Sequence, residues 1–237
     1  MNYKIIQDEQ RFLKFIEWLP ELEDNEMFYG CLFARKKYDT TGILNSDKSQ
    51  LKRFTSKKEY LFQKVKQMEC EVGVYTFKGK PIPQDTLALY IMPNPRSLMK
   101  ATRQSLVDFA NMIAGMNPKY KNPYKVALTN IQKCASRKVY MDFDFDFDAE
   151  TKDQQTYESL GKINEALNCE SYHMLLTRGG FHLLVEVSKI DKHYIKTWYK
   201  KITDIGVDVR GDNLIPVPGC TQGGYVPTLL RYEDIKQ

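Results

Sequence analysis

The residues with the clearest chemical potential lie in Val139-Tyr140-Met141-Asp142-Phe143-Asp144-Phe145-Asp146-Phe147-Asp148. The strict alternation has the period of a β-strand, so Met141, Phe143, Phe145 and Phe147 share one face and four aspartates the other. Asp is a poor strand former, and like charges on one face repel, so propensity does not account for the carboxylate row. Two readings fit the row alone. It is the acidic solvent face of an edge strand, which discourages unwanted pairing, or a site for a divalent cation, since Mg²⁺ takes oxygen ligands. Two further groups could act with it. In Thr177-Arg178-Gly179-Gly180-Phe181-His182 the glycines permit close approach of backbone N–H groups to an anion, with Arg178 and His182 adding charge. Read plainly, the same residues are a Gly-Gly hairpin with a structural histidine. Asp208, in Ile205-Gly206-Val207-Asp208, either completes a carboxylate cluster or is a surface aspartate.

The elements that must position these groups read as α/β (α+β) throughout. In the second half a strand at 138–147 leads into a helix at 151–167, short strands at 171–177 and 181–187, a helix at 192–205 and a strand at 207–209. That order, βαββαβ, is the split-βαβ or RRM-like arrangement, which brings distant residues onto one open sheet face. The first half reads as a mixed α/β module. Helices are expected at 8–19, at 56–70 with Ser56 and Glu59 as a capping box, and at 97–114 with Gly115 ending it. Strands are expected at 26–34, 72–77 and 86–92, the last two paired through a Lys-Gly-Lys-Pro loop. Pro93-Asn94-Pro95 breaks the chain, and 116–124 is a loop. Two modules result, 1–136 and 137–237, joined as one core.

Length and composition suit that size of fold, with 237 residues, 42% hydrophobic and 27% charged. No apolar run reaches membrane-spanning length. The beginning of the chain lacks a signal-peptide pattern. Cys31, Cys70, Cys134, Cys169 and Cys220 lie far apart without a Cys-x-x-Cys pair, which suits reduced thiols in a cytoplasm-like compartment and gives no expectation of zinc. The net charge of +5 divides unevenly. Residues 1–136 carry 22 Lys and Arg against 14 Asp and Glu, and residues 137–237 carry 13 against 16, so +8 faces −3. From Arg35 to Lys66 ten basic residues meet three acidic ones, with Tyr38, Phe54, Tyr60 and Phe62 interleaved. Arg35, Lys36, Lys37, Lys57 and Lys58 are the candidates there for a nucleic-acid backbone. A solvated helix face is the alternative.

In combination and in this order, the three groups resemble the catalytic core of the archaeo-eukaryotic primase superfamily, which includes primase-polymerases of phages, plasmids and eukaryotes. Its hhhDhD motif is matched by Val139-Tyr140-Met141-Asp142-Phe143-Asp144, its Gly-rich motif ending in His by residues 177–182, and its hydrophobic-Asp motif by Val207-Asp208. Pro218-Gly219-Cys220-Thr221 is similar to a Pro-Gly-Thr turn of phage members. Leu89-Tyr90-Ile91-Met92-Pro93-Asn94-Pro95-Arg96 is similar to an upstream Asn-Pro stretch. The chain departs from the family in having Ile215-Pro216-Val217 where an Arg often precedes the Pro-Gly turn; Arg210 and Arg231 are candidates to replace it. The resemblance covers about residues 85–225. It implies DNA-dependent primer synthesis or extension from (d)NTPs, with two divalent ions, Mg²⁺ or Mn²⁺, on Asp142, Asp144 and Asp208. It further implies a triphosphate gripped by Arg178, Gly179, Gly180 and His182, and a single-stranded DNA template on the basic module. A separate replicative helicase or other replication protein is the implied partner, and the cytoplasm (of the host, for a phage protein) the implied compartment. Asp146 is unassigned, and Asp148 is expected at the strand's exit. A non-catalytic RRM-like nucleic-acid binder and an Asp-x-Asp glycosyltransferase are the competing readings.

Overall fold

The computed structural model describes residues 1–47, 49–115, 122–148 and 150–231. The chain opens with helix α1 (Glu9–Trp18), started by Asp8, whose carboxylate accepts the Arg11 amide at 2.9 Å. Strands β1 (Glu26–Ala34) and β2 (Ser49–Ser56) follow, then helix α2 (Leu61–Lys66). Ser56 thus ends a strand instead of capping a helix, and α2 has no side-chain cap. The strand β2 was hidden because Gln50-Leu51-Lys52-Arg53 is mostly polar and reads equally well as a solvated face. Strands β3 (Thr76–Phe77) and β4 (Lys80–Pro81) pair only with each other, which corrects the expected pairing of 72–77 with 86–92. β5 (Leu87–Ile91) joins β1 in an antiparallel pair, and β6 (Arg96–Ser97) pairs with the start of β1. Helix α3 (Leu98–Ile113) is capped by Ser97 and ends before Gly115, whose φ of 69° suits a residue lacking a Cβ. Helix α4 (Pro123–Lys133), not anticipated, begins with Asn122 as cap and proline in its first turn. Most of the expected loop at 116–124 lies outside the described residues.

The second half follows the expected order of elements, as β7 (Tyr140–Asp146), α5 (Lys152–Ala166), β8 (Tyr172–Leu176), β9 (Gly180–Glu186), α6 (Trp198–Thr203) and β10 (Val209–Gly211). α6 is shorter than expected. The last strands are β11 (Ile215–Pro216) and β12 (Thr228–Leu230). The second sheet runs β10-β7-β9-β8-β12, all antiparallel, so the first strand of the split-βαβ order lies between the fourth and third. One face of this sheet carries Phe143, Phe145, Phe181 and Leu183, all buried with Ile163 of α5 and Trp198 and Ile202 of α6.

The two halves share a core. The first sheet runs β11-β5-β1-β2, so Ile215–Pro216 returns to it from the second half. Tyr140, Leu175 and Leu184 from the other face of the second sheet are buried in one cluster with Ile5, Phe12, Phe15, Phe28 and Leu89. No helix among the described residues is long and apolar enough to cross a membrane.

Candidate active site

Antiparallel pairing sets the site. Asp144 of β7 lies directly opposite His182 of β9, so two groups nearly forty residues apart meet on one face. The His182 ring, 6% exposed, reaches both aspartates of the Asp-x-Asp: Nδ1 is 2.9 Å from Asp142 Oδ1 and Nε2 is 3.4 Å from Asp144 Oδ1. Asp142 is 1% exposed, and its other oxygen accepts a hydrogen bond from Asn213 Nδ2 at 3.2 Å. Burial disfavours the His182 cation, yet the Asp142 carboxylate, seconded by Asp144 and Asp146, outweighs it and raises the imidazole pKa. Burial pushes Asp144 up to about 6, helped by Asp146, Asp142 and Asp208 and opposed by His182. With Nδ1–H donating to Asp142, a neutral ring would turn its Nε2 lone pair toward Asp144. The arrangement therefore favours a proton on Nε2 or on Asp144, which agrees with both directions. Both nitrogens are occupied, so His182 orients the carboxylates here and does not present itself to a phosphate.

Asp208 lies just before β10, and its amide donates to the Asp144 carbonyl at 2.9 Å. Its side chain is exposed, and its charge bears on Asp144. Asp146 is exposed at the end of β7 and its charge acts on Asp144 and His182, so the third aspartate of the row belongs to the same electrostatic group. Asp148 lies beyond the strand in solvent, as expected. Asp212 is withdrawn from the site into an ion pair with the fully buried Arg96, at 2.7 Å.

The glycine pair serves packing. A Cβ on Gly180 would lie 1.9 Å from the Phe145 carbonyl, and one on Gly179 would lie 2.8 Å from Asp146 Oδ1. The Gly180 amide is taken by the Thr177 hydroxyl at 3.2 Å. These glycines let the hairpin lie flat against β7, and the Gly180 N–H is not available to an anion. Arg178 is different. Its guanidinium stacks 4.6 Å from the centre of the Tyr38 ring and donates to the Gly223 carbonyl, while its amide donates to Gln222 Oε1 at 3.0 Å. Among the described residues it meets a ring and a carbonyl, and no carboxylate.

The basic run divides. Arg35 is half-buried, donates to the Tyr90 hydroxyl at 3.0 Å and pairs with Asp47 at 3.4 Å. Tyr90 and Tyr38 of the first half thereby stand beside the carboxylate row: Asp144 raises the Tyr90 hydroxyl, and Asp146 raises Tyr38, in each case adding to burial. Lys36 and Lys37 are exposed. Lys57 donates to the carbonyls of Glu23 and Asp24, and Lys58 to those of Glu17 and Leu19 while pairing with Glu21. Lys58 thus closes the end of α1 and Lys57 the turn before β1, and both ammonium groups already have carbonyl partners. Arg210 lies over Tyr199, on the helix-covered face, and Arg231 lines a cavity beside Trp18.

Sequence reasoning passed over Asn94. Its Oδ1 accepts the amides of Val139 and Tyr140, both at 2.8 Å, and its Nδ2 donates to the Tyr140 carbonyl and to Asp212. Arg96 adds bonds to the Asn94 and Gln132 carbonyls. This buried hub ties β6 and α4 to the start of β7 and fixes Asp212, whose neighbour Asn213 reaches Asp142. The Asn-Pro-Arg stretch was the available signal; it reads first as a chain break.

Comparison with protein-family models, with curated proteins and with solved structures finds no match to this chain. The donor chemistry at the site suits a hard divalent cation, since its donors are carboxylate oxygens and Asp144 is raised by burial and, secondarily, by its neighbouring carboxylates. Among the described residues, no three His, Cys, Asp or Glu side chains converge closely enough to hold one unaided. Water and substrate oxygens would have to supply the remaining ligands, as Mg²⁺ usually requires.

Proposed function

We propose that this protein is a divalent-metal-dependent nucleotidyltransferase of the primase or primase-polymerase type, extending or making primers on single-stranded DNA from (d)NTPs. The observation that carries the reading is the meeting of Asp142, Asp144 and His182 across β7 and β9 with Asp208 at their edge. Divalent ions held by Asp144 and Asp208, with substrate oxygens and water, would neutralise the triphosphate and make the primer 3′-hydroxyl more acidic. Asp142 anchors His182, and His182 holds the Asp144 carboxylate in place. Arg178, which meets no carboxylate among the described residues, is the residue suited to the triphosphate. Lys36 and Lys37 remain the exposed candidates for template phosphates. A replication protein such as a separate helicase is the corresponding partner.

The RRM-like binder is the weaker reading, since Phe143 and Phe145 are buried under α5 and α6 and cannot stack on bases. The test is primer synthesis and extension on a single-stranded template with labelled nucleotides and Mg²⁺ or Mn²⁺. Incorporation should require the ion, vanish in Asp144→Asn, and fall about a hundredfold in Arg178→Ala. Equal incorporation by Asp144→Asn, or nucleotide binding indifferent to divalent ions, overturns the proposal.

A further inference from the structure

Among the described residues, four buried side-chain nitrogen or oxygen atoms lack a hydrogen-bond partner, and two of them belong to residues that line one cavity. They are Trp18 Nε1, at the end of α1, and His173 Nδ1, on β8. Buried polar atoms are ordinarily paired, so two orphans at one place call for an explanation. The cavity measures about 420 Å³ and opens where Tyr140, His173 and Glu186 bring the same end of β7, β8 and β9 against Trp18. That volume lies within the range of small-molecule sites, roughly 300–1,000 Å³. It is distinct from the carboxylate row, since Asp144 follows Tyr140 by four residues on β7, roughly 13 Å along the strand.

The walls are already set. The Trp18 ring stacks on Tyr140 with centres 4.4 Å apart and meets the His173 ring edge-on at 5.5 Å. His173 is 9% exposed. Burial, with Lys189 and Arg231 nearby, lowers its pKa to about 4, so the ring is neutral at pH 7. A neutral imidazole nitrogen gives or takes one hydrogen bond, whereas the indole N–H only gives.

This chemistry selects the occupant. An aliphatic group would leave both nitrogens bare. An anion would meet a neutral His173. At the rim, Lys189 and Arg231 are matched by Glu170 and Glu186, and Lys189 already pairs with Glu186 at 2.9 Å. A metal ion would lack ligands, since no three His, Cys, Asp or Glu side chains converge among the described residues. Water takes about 30 Å³ a molecule, so one bridging water would leave most of the space open between aromatic walls. What fits is planar, uncharged and heteroaromatic, with an acceptor for the indole and a second polar edge atom for the imidazole. We propose that this cavity binds the base of a nucleoside, separately from the carboxylate row.

The inference does not depend on the proposed reaction, and its test uses the full chain without divalent ions. Equilibrium dialysis with each of the four labelled deoxynucleosides should show saturable binding of at least one. His173→Phe keeps a ring but removes both nitrogens, and Trp18→Phe removes the indole N–H. Each should weaken that binding about tenfold, the worth of one buried hydrogen bond, with the circular dichroism spectrum unchanged. Asp144→Asn should bind as the parent does. An unlabelled single-stranded oligodeoxynucleotide distinguishes the source: competition assigns the site to a base of the strand, and its absence to a free nucleoside. The inference is overturned if no deoxynucleoside binds saturably, or if either ring variant binds as tightly as the parent. Binding that needs Mg²⁺ and is lost in Asp144→Asn would also overturn it, by placing the nucleoside at the carboxylates.

Discussion

At the scale of single residues the site stores electrostatic tension. Asp144 has its pKa raised to about 6 from an ordinary 3.8, so the folded protein binds that proton more tightly than the unfolded chain does. The sign follows: the Asp144 charge destabilises the fold, increasingly as pH rises from about 4 to about 6, and by a constant amount above. With the side chain one-quarter exposed, the cost is on the order of 2 kcal/mol. Without divalent ions, Asp144→Asn should therefore melt several degrees higher than the parent at pH 7, and the gap should close toward pH 4. A gap that is absent or widens on acidification would contradict the raised pKa. The Asp142–His182 contact behaves oppositely. Removing the ring in His182→Ala leaves a 1%-exposed carboxylate with Asn213 as its remaining hydrogen-bond partner among the described residues, which should cost about 3–5 kcal/mol. Adding Asp142→Asn to that variant should recover a large part of the loss in urea denaturation. Simple additivity of the two losses would show that the pair is not coupled.

At the scale of elements, basic residues that look alike in sequence have different employment. Lys58 sits at 15% side-chain exposure on the carbonyls that end α1, so Lys58→Ala should cost about 1 kcal/mol and leave the salt dependence of single-strand binding unchanged. Lys36→Ala with Lys37→Ala should do the reverse, flattening the salt dependence by up to about one slope unit per lost phosphate contact. Equal salt slopes in the two variants would remove the basis for separating them. The same distinction explains how much was legible beforehand. β7 to β10 and their helices could be read because period two and period 3.6 alternate cleanly there, and the split-βαβ order then brings Asp144 opposite His182. β2 and α4 could not, since a strand at a sheet edge and a short helix keep polar residues on both sides. The roles of Asn94 and Arg96 were not legible either. A side chain that bonds backbone amides far along the chain leaves no periodic trace, and Asn-Pro carries its turn signal regardless of what the amide does.

At the scale of the whole molecule, the chain's crossings between sheets make the two halves interdependent. After β10 it returns to the first sheet, where Ile215–Pro216 pair with β5 and the Thr221 amide donates to the Ile5 carbonyl at 2.9 Å, before β12 rejoins the second sheet beside β8. Gly219 is the tightest point of that path. Its φ is 79°, and a Cβ there would lie 2.5 Å from both the Asp8 carbonyl oxygen and the Phe12 amide nitrogen, backbone atoms at the start of α1. Gly219→Ala must therefore displace α1 as well as strain its own backbone, at a cost of at least about 2 kcal/mol. Each half happens to carry one tryptophan, Trp18 stacked on Tyr140 and Trp198 in the core under the second sheet. Trp198→Phe leaves the first as reporter, and Trp18→Phe leaves the second. If the shared core couples the halves, both reporters should give the same urea midpoint, and Gly219→Ala should move both by the same amount. A Gly219→Ala shift confined to the Trp18 signal, with the Trp198 transition unmoved, would mean that the halves unfold separately and that the shared core does not bind them.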